Sequence, residues 1–424
     1  MSFQSSKRSK SQCITAIIFA LFLLSPLLAE AASVFRLFIN LSVSHYGKFN
    51  TNYNLSNVVN EFKEKARKNV DFALDVRNIT EGLGGWKFIL IDYYGFLQKL
   101  QGKGFVPDAD SDHNVYRLNN GYLTILQPKE DVAICASRMR EFNDFLKGKS
   151  IDFLYVQTPG KLSVYGSLLP EGSQNDYSNY NTDSFLALMQ KYGITTYDLR
   201  SVFNNQASKN DGLFFRTDHH WTPEAGFIAF QSIGEYLQKH YGFILDQKIL
   251  SSLSYSKETL KRRFLGSAGR RVGMYFSPPL DDFTIIKPMF QTKFITNNPK
   301  GQTCTGTFDE VLCADTFLKR RYVHLDESYN YYSGDETACR FIKNGLSTNK
   351  KHIVLIHDSF GRVIIPFLAL TCERLTTIDL RRTSMSVRDF VEDAEPDIVV
   401  VMYNPGALTN RTTDAFKRTL FDLD

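Results

Sequence analysis

Ile353-Val354-Leu355-Ile356-His357-Asp358-Ser359-Phe360-Gly361 decides how this chain is read. The near-continuous apolar run reads as a strand of a parallel sheet, covered on both faces. A parallel strand that ends abruptly and turns toward a helix exposes its next side chain at the C-terminal edge of the sheet, where α/β proteins place ligands. Here that side chain is Ser359. The same turn aims backbone N–H groups at one point, so those of Ser359 and Phe360 are candidate oxyanion donors. The spacing is not that of a G-x-S-x-G elbow. A plainer reading, in which Asp358-Ser359 only caps the next helix, stays open at this level.

The surrounding sequence repeats the rhythm. Downstream, a helix runs toward Glu373. Pro366 either kinks it or marks a later start after a turn. Leu375–Leu380 is an expected strand, Ser384–Ala394 a helix and Asp397–Tyr403 a strand. Upstream, Val132–Leu146 has amphipathic helical spacing, and Ile151–Val156 is a buried strand ending in Thr158-Pro159-Gly160-Lys161. A helix over Asp183–Tyr192 and a short strand over Thr195–Leu199 follow. Thr222 caps a helix that opens with Pro223 and reaches His240. Residues 131–240 and 351–424 are therefore expected to form one α/β domain, a mostly parallel sheet with helices on both faces. Between them, 241–350 breaks the rhythm with glycine, proline and aromatic residues and reads as a β-rich insertion. Residues 32–130 read as an N-terminal region packing on the core. Within it, Val58–Phe72 has helical spacing, and Trp86–Ile91 and Tyr122–Leu126 look like strands.

Composition bounds the compartment and the partners. Lys7, Arg8 and Lys10 precede an apolar stretch from Ile14 to Leu28, and Ala29-Glu30-Ala31 reads as a cleavage site. Residues 1–31 are expected to be a signal peptide, with an uncleaved anchor as the rival. The body of the chain is then exported, to a periplasmic, cell-surface or extracellular location. Cleavage would take three basic residues and one acid from a formal net charge of +5, leaving a mixed surface. No basic tract argues for nucleic acid. Cys13 falls in the leader, so an odd number of cysteines remains. Cys304 and Cys313 flank a turn-like stretch and are expected to pair. No cysteine or histidine spacing suggests zinc.

The second informative stretch is Asp218-His219-His220-Trp221, just before the capped helix. A serine hydroxyl is a poor nucleophile until a neutral imidazole takes its proton. His220 is the candidate base and Asp218 its orienting acid, with Ser359 the nucleophile. The plainer reading makes the histidines helix-entry residues and Trp221 a core anchor. Asn404, in Tyr403-Asn404-Pro405-Gly406, is a candidate oxyanion donor or a turn asparagine. Lys161, at another strand's end, is a candidate substrate contact or a solvated lysine. His219 and Trp221 are further candidate substrate contacts. Asp218, His219, His220, His357 and Asp358 could also ligate a metal. The phosphoesterases whose signature is named DHH resemble this chain little elsewhere, lacking here both their D-x-D and G-G-G-H segments. No metal and no cofactor is expected.

These residues resemble a known group. Asp218-His219-His220-Trp221 is similar to the signature of the bacterial DHHW family, related to the SGNH-hydrolase-like domains of alginate O-acetyltransferases. Thr217 to Ala225, Phe264-Leu265-Gly266-Ser267, Arg271-Val272-Gly273, Asp281-Asp282-Phe283-Thr284 and the block His357 to Gly361 carry the likeness, over roughly 115–405. The resemblance implies an SGNH-hydrolase-like fold, with Asp218, His220 and Ser359 on a catalytic triad and His219 between. His357 stands where a glycine usually precedes Asp-Ser. Asn404 matches only by its place after a strand. The expected function is an exported serine-dependent O-acyl, chiefly acetyl, transferase or esterase. Its substrate would be extracellular or envelope polysaccharide, and a transferase would need an acyl donor delivered by a membrane partner. The alternative is a non-catalytic carbohydrate-binding or polysaccharide-assembly protein that retains the fold.

Overall fold

The structure is a computed structural model describing residues 86–107, 114–207, 212–298, 301–319, 323–325, 327–334, 338–412 and 418–424. The expected signal segment and the helix expected over Val58–Phe72 lie outside the described residues. The chain divides into two compact units, 1–97 and 98–424. In the first, the stretch expected as a strand from Trp86 is instead the start of a helix, Trp86–Leu100. The apolar run continues past Ile91 through Tyr93, Tyr94, Phe96 and Leu97. A six-residue strand cannot hold that length and a four-turn helix can.

The second unit is built on an eight-stranded sheet. Its strands are β4 (Asp152–Gln157), β5 (Thr196–Asp198), β8 (Phe294–Asn297), β9 (Thr303–Gly306), β10 (Cys339–Asn344), β11 (His352–His357), β12 (Arg374–Ile378) and β13 (Ile398–Tyr403). They lie in the order β5-β4-β13-β11-β12-β10-β8-β9. The first five are parallel, and β10, β8 and β9 continue the sheet antiparallel beyond β12. Three smaller strands, β1 (Phe105–Pro107), β2 (Asn114–Arg117) and β3 (Leu123–Ile125), form an antiparallel sheet of their own. So do β6 (Tyr255–Phe264) and β7 (Asp281–Pro288).

The continuous apolar runs have a direct structural reason. Successive side chains of a strand point to opposite faces. Leu154, Val156, Ile353, Leu355, Val400 and Met402 enter one core, while Phe153, Tyr155, Val354, Ile356, Val399 and Val401 enter the other. Helices Ala133–Gly148 and Ser178–Lys191 cover the second face. Helices Pro223–Tyr241 and Gly361–Leu368 cover the first. This is an α/β architecture with helices on both faces of a mostly parallel sheet. Among the described residues, no helix is long and apolar enough to cross a membrane.

Two local features set the position of the site. Thr222 caps helix Pro223–Tyr241, its Oγ1 accepting from Ala225 N at 3.3 Å, and the helix ends at Gly242 in the left-handed region, φ 68°. Gly226 lets this helix press on helix Gly361–Leu368, since a Cβ there would lie 2.6 Å from Val363 Cγ1. Pro366 sits inside the latter helix. Its missing N–H frees the carbonyl of Arg362 four residues back, and Ser333 Oγ donates to that carbonyl at 2.6 Å. The helix runs through Pro366 and starts directly after Ser359 and Phe360.

Cys304 and Cys313 do not form the expected bond, and both are free thiols. Cys304 lies on β9, opposite Thr296 of β8. Cys313 comes after the capped turn Phe308–Val311 and bridges instead to Tyr332. The intervening turn takes the two cysteines to different neighbours.

Candidate active site

Three parallel strands deliver the site's residues to one edge of the sheet: Thr158 to Lys161 after β4, Asp358 and Ser359 after β11, and Asn404 after β13. Residues 213–222 fold over this edge as a tight two-way turn. Thr222 N donates to Leu213 O at 3.0 Å and Phe215 N to His220 O at 3.2 Å, with Phe214 bridging Trp221. Asp218 lies near the tip. Its Oδ1 accepts from His220 N at 2.9 Å and lies 2.6 Å from His220 Nδ1. One carboxylate oxygen thus holds both the backbone and the ring of a residue two positions on. This explains how Asp and His at that spacing act as a pair. His220 Nε2 lies 2.7 Å from Ser359 Oγ, 139 positions away in sequence. The result is an unbroken hydrogen-bond run from carboxylate to imidazole to hydroxyl. Asp218 and His220 are buried, while Ser359 is half-buried and can be reached.

Asp218 is clamped from behind. Its Oδ2 accepts from Ser267 N at 2.5 Å, and Gly266 N donates to Thr217 Oγ1 at 2.8 Å. Asp281 accepts from Thr217 N at 2.9 Å and from Arg216 N at 2.7 Å, which fixes the approach to the turn. Burial alone would raise the Asp218 pKa. His220, His219 and the Ser267 N–H overcome it and hold the carboxyl well below its usual range. The acid is therefore ionised and acts as an acceptor toward His220 Nδ1–H.

Gly266 is required by space rather than by its φ of −71°. A Cβ there would lie 2.2 Å from Asp218 Cβ and 2.7 Å from its Cα. We expect Gly266→Ala to push Asp218 off His220 and to destabilise the fold by about 1–3 kcal/mol. A thermal melt and an ester-turnover assay on the same sample check this. A variant with native melting and native turnover would contradict the close approach.

His220 is enclosed by rings. Tyr329 stacks on it with centroids 4.1 Å apart at 21°, His219 lies 3.8 Å away and Phe360 5.1 Å. Tyr329 escaped the sequence reading. It arrives from the short turn Ser328–Tyr331 in an irregular tyrosine-rich stretch, with no periodicity to mark it. The His219 Nδ1 lies 3.0 Å from Ser267 Oγ and 3.3 Å from Asp218 Oδ1. Burial and then the neighbouring His220 lower its pKa. Because 42% of the side chain is open to solvent, desolvation acts on it only in part. This exposure leaves His219 able to meet a ligand.

Several candidate roles change. Phe360 N donates to Asp358 Oδ1 at 2.8 Å, so it is engaged and does not join an oxyanion hole in this arrangement. Asn404 is likewise engaged. Its N and Nδ2 donate to Asp358 Oδ2 at 2.7 and 2.5 Å, and its Oδ1 accepts from Gly406 N at 2.7 Å. Asp358 thus ties the end of β13 to the turn that carries Ser359, which joins the capping reading to the nucleophile reading. Among the described residues, Ser359 N makes no hydrogen bond and is the donor left over. Trp221 is fully buried, packed on Phe203 and Phe360, and is a core anchor rather than a substrate contact. Lys161 is 4% exposed and is neither solvated nor in a groove. Its Nζ donates to the carbonyls of Leu123 and Asp218. His357, in the position usually held by glycine, is buried, with Nδ1 2.7 Å from Asp358 O.

Asp218, His219 and His220 bring possible metal-ligand atoms within 4.8 Å of one another. Both Asp218 oxygens already accept N–H groups and His220 Nε2 faces Ser359, so Asp218 and His220 are committed to hydrogen bonds.

Residues 124–256 match the family model of the SGNH hydrolase-like domain of the acetyltransferase AlgX, a stretch that includes Asp218 to Trp221 and stops before Ser359. Among solved structures, Bacillus cereus PatB1 is similar, with a TM-score of 0.59 and 16% identity over 74% of this chain and 100% of that one. This is an SGNH hydrolase-like fold. PatB1 with a sulfonyl adduct matches with the same TM-score and identity, covering 99% of that chain. A DHHW family protein from Eubacterium siraeum DSM 15702 matches with a TM-score of 0.55 and 18% identity, over 72% of this chain and 95% of that one. No curated protein matches the chain in sequence. At these identities the structural likeness carries the fold. The family match adds the relation to the AlgX domain, which the DHHW motif had pointed to.

Proposed function

We propose that this chain is an exported serine-dependent enzyme that moves O-acyl, chiefly acetyl, groups on extracellular or envelope polysaccharide through an acyl-enzyme. The observation that carries the reading is the run Asp218 Oδ1–His220 Nδ1 at 2.6 Å and His220 Nε2–Ser359 Oγ at 2.7 Å. The match to the acetyltransferase AlgX domain supports acetyl as the group, and the glycan acceptor follows from the resemblance to alginate O-acetyltransferases.

In this mechanism His220 Nε2 takes the Ser359 proton as Oγ bonds to the acyl carbonyl carbon. The carbonyl π pair moves to its oxygen, which Ser359 N–H stabilises. Collapse of the tetrahedral species breaks the bond to the donor's leaving group, and His220 returns the proton to it. A sugar hydroxyl then loses its proton to His220 and attacks the acyl-enzyme. Ser359 Oγ leaves and is reprotonated. Water in place of the sugar gives an esterase. The rings of Tyr329 and Phe360 cover the His220 imidazole. Asp218 holds the Nδ1 proton and stabilises the imidazolium. A transferase on this plan draws its acyl group from a donor delivered by a membrane partner.

The test is turnover of a p-nitrophenyl acetate donor by the purified chain, with and without polysaccharide acceptor, beside glycan binding in the same buffer. Turnover that the acceptor accelerates supports the transferase. Glycan binding without any turnover would instead make the chain a binding or assembly protein.

A further inference from the structure

We propose that Lys161 is a positioning residue of this site, its buried ammonium pinning the backbone of Asp218 and holding positive charge beside the Asp218 carboxylate. The inference rests on the acyl-enzyme reading above and deepens it. Lys161 opens the turn after β4, at the same sheet edge as Ser359, and its Nζ bridges the carbonyl of Leu123 on β3 and that of Asp218 at the tip of its turn. It therefore ties together three segments far apart in sequence. A lysine is seldom fully buried without a carboxylate in contact. This one is held on carbonyls, with the Tyr122 ring 5.8 Å away. The groups facing it are the carboxylates of Asp218 and of Asp281 on β7. His219, whose ring feels the Lys161 charge together with that of Arg271, completes the set. Arg216 pairs with Asp281 at 3.2 Å, while Lys161 Nζ sits on the backbone carbonyl of Asp218 itself.

Burial lowers the Lys161 pKa from 10.5 to about 8, against the opposing pull of Asp281 and Asp218. Between those two values the folded chain sheds the proton and the unfolded chain keeps it. The group's contribution to stability therefore rises with pH across that window. Activity is expected to move the other way. The neutral amine keeps weaker hydrogen bonds to the carbonyls and loses its field on Asp218. The tyrosines near the site do not titrate there, since burial pushes Tyr329 and Tyr155 up.

The experiment follows covalent labelling of Ser359 by phenylmethylsulfonyl fluoride, with thermal melts on the same samples, from about pH 7 to about pH 10. The full chain, Lys161→Met, Lys161→Arg and Ser359→Ala are compared. The full chain should lose labelling rate several-fold above about pH 8 without melting. Lys161→Met should label about tenfold to a hundredfold more slowly at neutral pH and lose the alkaline fall. Lys161→Arg, which stays charged, should keep labelling at the alkaline end. Wild-type labelling that is flat across the range overturns the proposal, even if Lys161→Met fails to fold. So does a folded Lys161→Met variant with the wild-type rate and profile. A full chain that labels no faster than Ser359→Ala sinks the acyl-enzyme reading itself, which separates the two failures.

Discussion

Ser359→Ala is expected to lower acetyl-ester turnover by about 10⁴-fold or more while leaving the melting temperature unchanged. In the proposed mechanism the hydroxyl bonds to the acyl carbon, and the neighbouring polar groups are already engaged. Asp358 and Asn404 are acceptor and capping groups bonded to each other, and His357 is turned to the Asp358 carbonyl. Ser359 is half-buried, and among the described residues its Oγ hydrogen-bonds to His220 alone, so the variant loses one hydrogen bond. Folding should hold because Asp358, not Ser359, joins the β11 turn to β13. Turnover within tenfold of the parent would mean that the reaction proceeds elsewhere.

Asp218→Asn should cost about 10⁴-fold at neutral pH, for a different reason. The carboxylate accepts the Nδ1 proton of His220 and so leaves Nε2 free to take one from Ser359. An amide can present its NH₂ to Nδ1 instead, which places the imidazole proton on Nε2, facing the serine. The base is then in the wrong tautomer, and the His220 backbone N–H that Oδ1 accepted faces a donor. The amide also removes the negative charge that stabilises the imidazolium. Ser267 N, at 2.5 Å from Oδ2, still finds an acceptor if the amide oxygen turns toward it, so stability should fall less than activity. Turnover measured from acid to alkaline pH checks this. A variant that keeps more than a tenth of parental activity would show that the acid plays no part in orienting the base.

How far the chain could be read from its residues follows from the physics of each position. The parallel core was legible because strands buried on both faces must be apolar at every position, as in Ile398–Tyr403. The pairing of Asp218 with His220 was legible because the contact is local. Its approach to Ser359 depended on topology, and only the strand-end positions hinted at it. Trp86–Ile91 was misread because six residues of an apolar run do not reveal its length. Lys161 was misread because burial of a lysine is decided by carbonyls from distant segments. The donors assigned to Phe360 and Asn404 failed together, for one reason. A carboxylate beside a nucleophile competes for the same N–H groups that an oxyanion would use, and Asp358 takes them. Tyr329 carried no sequence signal, since a single ring in an irregular stretch is placed by its partners alone.

The most direct test is to mix the purified chain with p-nitrophenyl acetate, quench in acid, digest, and locate any acetyl group by mass spectrometry. An acetyl ester on the peptide bearing Ser359, absent from Ser359→Ala and from His220→Ala, is the expected result. Ester turnover with Ser359 unmodified, or acetyl found at another residue and undiminished in both variants, would contradict it.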